Sequence, residues 1–149
     1  MGKMDTVSDE QETLSPRDVT AAILVRDGLV MLARRGPSEK HAGSWEFPGG
    51  KTEPGETPQQ GLKRELQEEF GWSSDVGRFV MENIYRYDDG AIRLLAFLAI
   101  PGIGEPRLCV HDTIAWVKPV ELCEYSLLPA DVPIARRLAA EPDMIAHAE

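Results

Sequence analysis

The chain has 149 residues, a length that fits one domain with a hydrophobic core of its own. Its 16 Lys and Arg residues against 25 Asp and Glu residues give a formal net charge of −9 at pH 7. This balance argues against a general DNA or RNA binder, so any phosphate chemistry must depend on a few placed cations or on a metal ion.

Cysteine content and hydropathy patterning indicate a reducing compartment and no membrane partner. The two cysteines, Cys109 and Cys123, are too few for a disulfide framework. The opening segment is polar and lacks the apolar stretch of a signal peptide. The longest mostly apolar run, Leu94 to Ile103, is much shorter than a bilayer span. We therefore expect a cytoplasmic protein that binds neither membrane nor nucleic acid.

Residues 1–16 are predicted to form a flexible tail, and residues 17–149 a single domain. Strand signals begin at Val19, where the segment VTAAILV is β-branched and apolar. The run breaks at Asp27-Gly28, a turn dipeptide, and LVMLARR then continues with the same apolar character. These features predict a β-hairpin at the start of the domain.

A loop rich in Gly and Pro, GPSEKHAGSWEFPGGKTEPGET, separates this hairpin from a helix with clear start and stop signals. Thr57 and Gln60 fit a capping box around Pro58, and Gly71 fits a left-handed C-terminal cap. Gly61 is a poor helix former and is expected to mark a tight helix–sheet contact. The apolar positions at helical spacing predict the buried stripe of this helix: Leu62, Leu66 and Phe70.

The rest of the chain reads as strands and a final helix. The segments 76–88 and 91–100 flank Asp89-Gly90 and predict a second hairpin. Ile114 to Val117 is predicted to be a short strand, and Asp131 can cap a helix that ends near Ala140. Strands and helices mix without regular β-α-β alternation. This order predicts an α/β (α+β) domain with helices packed on a mixed sheet.

Acidic side chains are concentrated on one side of the first predicted helix. Glu65, Glu68 and Glu69 are three and four positions apart, so their carboxylates lie close together. Three unpaired carboxylates repel one another, and a divalent cation between them would remove that repulsion. Ligands that are all oxygen favour Mg²⁺ or Mn²⁺. The alternative is a solvated acidic face on which Arg64 pairs with Glu68.

The spacing of this segment resembles a known family motif. Gly50 is followed by Glu56, then by the run RELQEEFGW that begins at Arg64. The whole segment GGKTEPGETPQQGLKRELQEEFGW resembles the Nudix hydrolase box at every polar and glycine position. It departs at Trp72, where the family has an aliphatic residue; this side chain is expected to stay away from the chemistry.

The similarity extends over about residues 18–140 and favours the MutT branch of that family. The segments WEFPGGK, Trp116-Val117 and LLPADVPIARRL carry it. The resemblance implies an α/β/α sandwich with a central mixed sheet, in which the box forms a loop–helix–loop. It also implies a Mg²⁺-dependent hydrolase, with Mn²⁺ as a substitute, that converts a nucleoside triphosphate to the monophosphate and pyrophosphate. We expect a monomer or a homodimer.

The substrate implied first is an oxidised nucleotide such as 8-oxo-dGTP, which the enzyme would remove from the nucleotide pool. The alternatives are (d)CTP or 5-methyl-dCTP, and a nucleotide sugar or a dinucleotide. A non-catalytic Nudix-like binding module is a further alternative. Such modules usually lose the glutamates of the box, and this chain keeps them.

The resemblance also assigns roles to residues of the box. Glu65 or Glu68 is the candidate general base, and Arg64 is expected to orient the carboxylates by ion pairing. The residues implied as metal ligands, through carboxylate or carbonyl oxygens, are Gly49, Gly50, Glu56, Glu65, Glu68 and Glu69.

Base and phosphate recognition is expected outside the box. Asp131 falls where MutT-like proteins hydrogen-bond the base, although a plain helix N-cap is an alternative role. Among the aromatic residues, Phe47, Trp45 and Tyr87 are candidates to stack on the base, with core packing as the alternative. The cations expected to meet phosphate or base are Arg34, Arg35 and Lys51, and the resemblance directs Arg35 towards the substrate.

One position departs from the MutT pattern in a way that concerns the chemistry. The branch often has a further glutamate before the strand that contains Trp116, and the matching residue here is Val110, which cannot bind metal. Either Asp112 or Glu105 replaces it, or the carboxylates of the box suffice. The neighbouring His111 is expected to be merely exposed, with a phosphate contact as the alternative.

Overall fold

The computed structural model describes residues 15–146. Residues 1–14 of the predicted tail lie outside this range. The strands are β1 (Arg17–Arg26), β2 (Leu29–Arg35), β3 (Trp45–Glu46), β4 (Gly49–Lys51), β5 (Asp75–Tyr87), β6 (Gly90–Ile100) and β7 (His111–Val117). The α-helices are α1 (Pro58–Phe70) and α2 (Val132–Ala140), and short 3-10 helices cover Pro119–Glu124, Pro129–Asp131 and Pro142–Ile145. Over this range, no helix combines the length and apolar character needed to cross a bilayer.

The strands form one mixed sheet in the order β3-β2-β1-β6-β5, with β4 beside β1 and β7 beside β2. The central strand β1 runs parallel to β6 and antiparallel to β2 and β4. β5 and β6 form the second predicted hairpin. Because β4 pairs with the first half of β1, the glycine-rich loop is fixed at the centre of the sheet.

Side chains of the strands alternate between two hydrophobic clusters, one on each face of the sheet. Ala22 and Leu24 of β1 pack with Leu62, Leu66 and Phe70 of α1 on what we term the α1 face. On the other face, termed the α2 face, the strand residues Ala21, Ile23 and Val25 pack with Ile134, Ala135 and Leu138 of α2. The predicted α/β/α sandwich is therefore confirmed.

Local sequence signals predicted the first hairpin and α1 correctly. Asp27 and Gly28 have φ values of 53° and 75°, as a tight hairpin turn requires. The hydroxyl of Thr57 accepts from the Gln60 backbone N–H at 3.1 Å, and the Gln60 side chain accepts from the Thr57 backbone N–H at 2.9 Å. Gly71 ends the helix with a left-handed φ of 70°.

Three local expectations were wrong. The last strand is longer than predicted because β7 begins at His111 and pairs with β2 from Val30 to Arg35. Asp131 makes no cap hydrogen bond to α2 among the described residues, since its carboxyl group is turned towards the backbone of Phe47. Gly61 lies against Thr52 and Glu56 of the preceding loop rather than against the sheet.

Candidate active site

Arg64 lies at the centre of the acidic cluster and contacts glutamates from both α1 and the loop before it. Its guanidinium donates to both carboxylate oxygens of Glu56, at 2.7 and 3.1 Å. It also donates to Glu65 and Glu68, each at 3.1 Å, and to the backbone carbonyl of Lys51. The neighbouring carboxylates raise the pKa of Arg64, and its N–H groups lower that of Glu56. Arg64 therefore pairs with these carboxylates, and its orienting role in catalysis stays a prediction.

Gly50 provides the space that the Glu65 carboxylate occupies. A Cβ atom at this position would overlap the carboxyl carbon of Glu65. Gly49 is required for a different reason, because a Cβ atom there would overlap the backbone carbonyl of Thr20 on β1. The Gly50 carbonyl already accepts from the Thr20 hydroxyl at 3.1 Å. Partial burial raises the pKa of Glu65, and the N–H of Arg64 opposes that rise.

Glu69 differs from the other acids of α1 because it faces inward. Its Oε2 atom is buried and has no hydrogen-bond partner within residues 15–146. Burial raises the pKa of Glu69 to about 8, and the charges of Glu65 and Glu46 add to the rise. A buried carboxyl oxygen without a partner is costly, so this atom marks a place for a proton or a cation.

The described part of the chain does not contain a preformed metal site. Across residues 15–146, no three His, Cys, Asp or Glu side chains converge closely enough to hold an ion. The guanidinium of Arg64 is the positive charge at the centre of this cluster, and it neutralises Glu56, Glu65 and Glu68. The assignment of metal ligands therefore stays a prediction.

Asp131 forms a second buried acidic group on the α2 face. Its carboxyl Oδ2 accepts from the backbone N–H of Phe47 at 2.8 Å, a contact that joins segments 84 positions apart. Burial raises the pKa of Asp131 to about 8, against the opposing effect of the Phe47 N–H. At pH 7 this carboxyl group is therefore mostly protonated and can both donate and accept a hydrogen bond.

The aromatic candidates are arranged differently from one another. Tyr87 is 46% exposed and packs edge-on against Tyr85, with ring centroids 5.0 Å apart. Burial raises the pKa of Tyr87, and the charges of Tyr85 and Asp131 add to the rise. The Phe47 side chain is buried in the core, and half-buried Trp45 packs edge-on against Tyr125. Stacking on a base stays a prediction for all three candidates.

The candidate cations at the end of β2 point to opposite faces of the sheet. Arg34 pairs with Asp112 at 2.8 Å and lies over the Trp45 ring, on the α2 face. Asp112 is one of the two acids considered as a replacement for the glutamate that is absent at Val110, and here it is paired with Arg34. The other candidate, Glu105, is exposed in the loop before β7. Lys51 is exposed beside the box. Their contacts with substrate stay predictions.

Arg35 and His111 converge on an acid that the sequence reasoning missed. Glu46 Oε2 lies 3.0 Å from Arg35 Nη1 and 2.7 Å from His111 Nε2. The expectation that His111 is merely exposed was wrong, because its side chain is 1% exposed. Alternation along β3 could have found Glu46, since its neighbours Trp45 and Phe47 are apolar and belong to the opposite face.

Comparison with known proteins gives consistent matches over nearly all of the described fold. Residues 15–141, which contain every strand and both α-helices described above, match a family model described as NUDIX domain. The chain is 38% identical over 123 residues to the CTP pyrophosphohydrolase of Escherichia coli, covering 83% of this chain and 91% of that protein. It is 34% identical to the 8-oxo-dGTP diphosphatase of Haemophilus influenzae, covering 81% and 90%. The solution structure of the E. coli ORF135 protein matches with a TM-score of 0.77 at 35% identity, covering 91% of this chain and 96% of that one.

Proposed function

This chain belongs to the Nudix hydrolase family, and from that premise we propose that it is a Mg²⁺-dependent nucleoside triphosphate pyrophosphohydrolase. It would convert the triphosphate to the monophosphate and pyrophosphate. The observation that carries the proposal is a cluster of four carboxylates: three surround Arg64, and the fourth, Glu69, has a buried oxygen without a hydrogen-bond partner in the described chain.

The chemistry of the donors fits a hard divalent cation, although in the described residues Arg64 pairs with three of the carboxylates and they do not converge on one point. Members of the family generally need a divalent metal. The donors on offer are all oxygen, and the unpartnered Glu69 Oε2 is a ligand without a competing hydrogen bond. Glu65, Glu68 and Glu69 would hold the ion, with the carbonyl of Gly49 or Gly50. When bound, Mg²⁺ would neutralise the polyphosphate and favour formation of the attacking hydroxide.

The side chains of the acidic cluster have different roles in this proposal. Arg64 keeps Glu65 and Glu68 in place while both oxygens of Glu56 hold its guanidinium. In this arrangement Glu56 acts as the anchor of Arg64, although it was expected among the metal ligands. Glu65 is partly buried and Glu68 is more than half exposed, so Glu68 has the greater freedom to turn towards a substrate. Both stay candidates for the base that accepts a proton from the attacking water.

Asp131 supports recognition of the base on the α2 face. A neutral carboxyl group donates one hydrogen bond and accepts others, and the Phe47 N–H fixes its orientation. Such a group fits a base edge with an adjacent donor and acceptor. We propose an oxidised purine triphosphate such as 8-oxo-dGTP as the substrate. The similarity to a protein named CTP pyrophosphohydrolase favours (d)CTP or 5-methyl-dCTP as the second candidate.

The experiment that tests this function is a screen for pyrophosphate release with Mg²⁺ present. The substrates are normal, 8-oxo and 5-methyl triphosphates, with nucleotide sugars and dinucleotides as competitors. We expect pyrophosphate from at least one triphosphate, and none after chelation of the metal. Hydrolysis of a nucleotide sugar or a dinucleotide but of no triphosphate would contradict the proposal.

A further inference from the structure

Three side chains from three strands meet at one carboxylate oxygen on the α1 face. Arg35 of β2 and His111 of β7 both contact Glu46 Oε2 of β3, at 3.0 and 2.7 Å. The three side chains are largely buried, and that of Glu46 is 16% exposed. Two donors on one oxygen fix the rotamer of Glu46 far more firmly than the Arg35 contact alone would.

His111 also connects this group to the end of α1. Its ring stacks on Phe70 with centroids 5.4 Å apart and an angle of 9° between the planes. Phe70 directly follows Glu69 in the last turn of α1, so the imidazole packs against the turn that carries the inward-facing acid. His111 thus contacts both Glu46 and the C-terminal turn of α1.

Glu69 depends on these neighbours because nothing else described in the structure fixes its buried oxygen. Its Oε2 atom lacks a hydrogen-bond partner in the part of the chain that is described, and Arg64 does not reach it. Glu46 and Arg35 lie close enough for their charges to act on the Glu69 carboxyl group. The position of Glu69 therefore depends on the packing of Phe70, the residue that follows it in the last turn of α1.

We propose that His111 is a positioning residue, which holds Glu46 and the last turn of α1 so that Glu69 is correctly placed to bind a divalent cation. This inference rests on the proposed function, because it concerns the same metal site. His111 does not touch the cation or the substrate in this account. It acts through the Nε2 contact with Glu46 and through the stacked ring of Phe70.

The test compares two substitutions of His111 that separate the hydrogen bond from the ring. His111→Phe keeps a ring against Phe70 but loses the N–H donor. His111→Gln loses the ring and places an amide N–H near the position of Nε2. Calorimetric titration of Mn²⁺ into the nucleotide-free chain measures metal affinity without catalysis, and kcat and KM are measured at saturating Mg²⁺.

We expect His111→Phe and Glu46→Gln each to weaken Mn²⁺ binding by about tenfold, the lower end of the usual range for residues that orient metal ligands. The KM for nucleotide should stay within about twofold, and His111→Gln should recover Mn²⁺ affinity to within about threefold of the unsubstituted chain. The control is Glu82→Gln, another strand glutamate paired with an arginine, Arg93, at the far edge of the sheet. It should change neither quantity by more than about twofold.

Unchanged Mn²⁺ affinity in folded His111→Phe and Glu46→Gln would overturn the inference, as would a His111→Gln variant as weak as His111→Phe. If His111→Phe fails to fold, the nearly isosteric Glu46→Gln variant decides the result. Failure of the proposed function has a different signature. In that case the unsubstituted chain itself binds no Mn²⁺, or Glu65→Gln binds it normally.

Discussion

Two buried carboxyl groups, Glu69 and Asp131, lie on opposite faces of the same sheet and differ in their partners. Burial raises the pKa of each to about 8. Asp131 has a backbone donor, the N–H of Phe47, whereas Glu69 has a buried oxygen without a hydrogen-bond partner within residues 15–146. The contrast separates two uses of an acid. In the proposed function, one is a neutral group that would read a base, and the other would become an anion when it binds a cation.

The largest effect is expected on the α1 face, at Glu68. Glu68→Gln removes a carboxylate that would hold Mg²⁺, so kcat at saturating Mg²⁺ should fall by at least about 100-fold. The matched control is the exposed neighbour Gln67, where alanine should leave kcat unchanged. Steady-state hydrolysis of the best triphosphate measures both. Near-normal turnover in Glu68→Gln would count against the acidic cluster as the active site.

Substitutions of the adjacent glycines Gly49 and Gly50 should distinguish an effect on stability from an effect on catalysis. In Gly50→Ala the new methyl group displaces the flexible end of Glu65, so the fold should survive while kcat falls by about 10–100-fold. In Gly49→Ala the methyl group meets the backbone of Thr20, so stability should fall instead. Thermal melting and kcat of the two variants distinguish these outcomes. Normal turnover in Gly50→Ala would show that Glu65 needs no such space.

On the α2 face, Asp131→Ala should raise KM by about tenfold or more for the preferred base, because one good bidentate contact is worth about 1–3 kcal/mol. Asp131→Asn resembles the neutral carboxyl group and should retain most of the affinity. The carboxyl group is neutral below about pH 8, so KM should rise above that pH in the unsubstituted chain and not in Asp131→Asn. An equal loss across all four bases in Asp131→Ala would reject Asp131 as the base reader.

The smallest effect concerns stability without metal. The pKa of Glu69 is higher in the folded chain, so its ionisation opposes folding and stability falls as pH rises from about 4.5 to about 8. At pH 9 without metal, Glu69→Gln should be more stable than the unsubstituted chain by at least about 1 kcal/mol, since one pKa unit corresponds to about 1.4 kcal/mol. Denaturant unfolding at pH 4 and pH 9 measures the difference. A pH-independent difference would contradict the assigned burial.

Sequence patterns predicted the parts of this structure that are local. The caps of α1 at Thr57 and Gly71 depend only on residues within one or two turns, so the local sequence was enough to identify both caps. The acidic cluster followed from helical spacing. Gly50 was recognised through the family motif, but the physical reason for it, the space for Glu65, appears only when β4 is placed against α1.

The remaining features depend on contacts between distant segments. Asp131 looked like a helix cap because its sequence neighbours suit one, yet its partner is the backbone of Phe47, 84 positions away in the sequence. His111 looked like an exposed loop residue because the start of β7 was placed three positions too late. Its burial, and its contact with Glu46, follow from the pairing of β7 with β2, which no local pattern specifies.

The most direct test of the contrast between the two acids is calorimetric titration of Mg²⁺ into three chains in the presence of a non-hydrolysable triphosphate analogue. We predict that the unsubstituted chain and Asp131→Asn give similar Mg²⁺ affinities, while Glu69→Gln is weaker by at least about tenfold. Equal Mg²⁺ affinity in Glu69→Gln and the unsubstituted chain, or no binding heat in any of the three, would contradict the account.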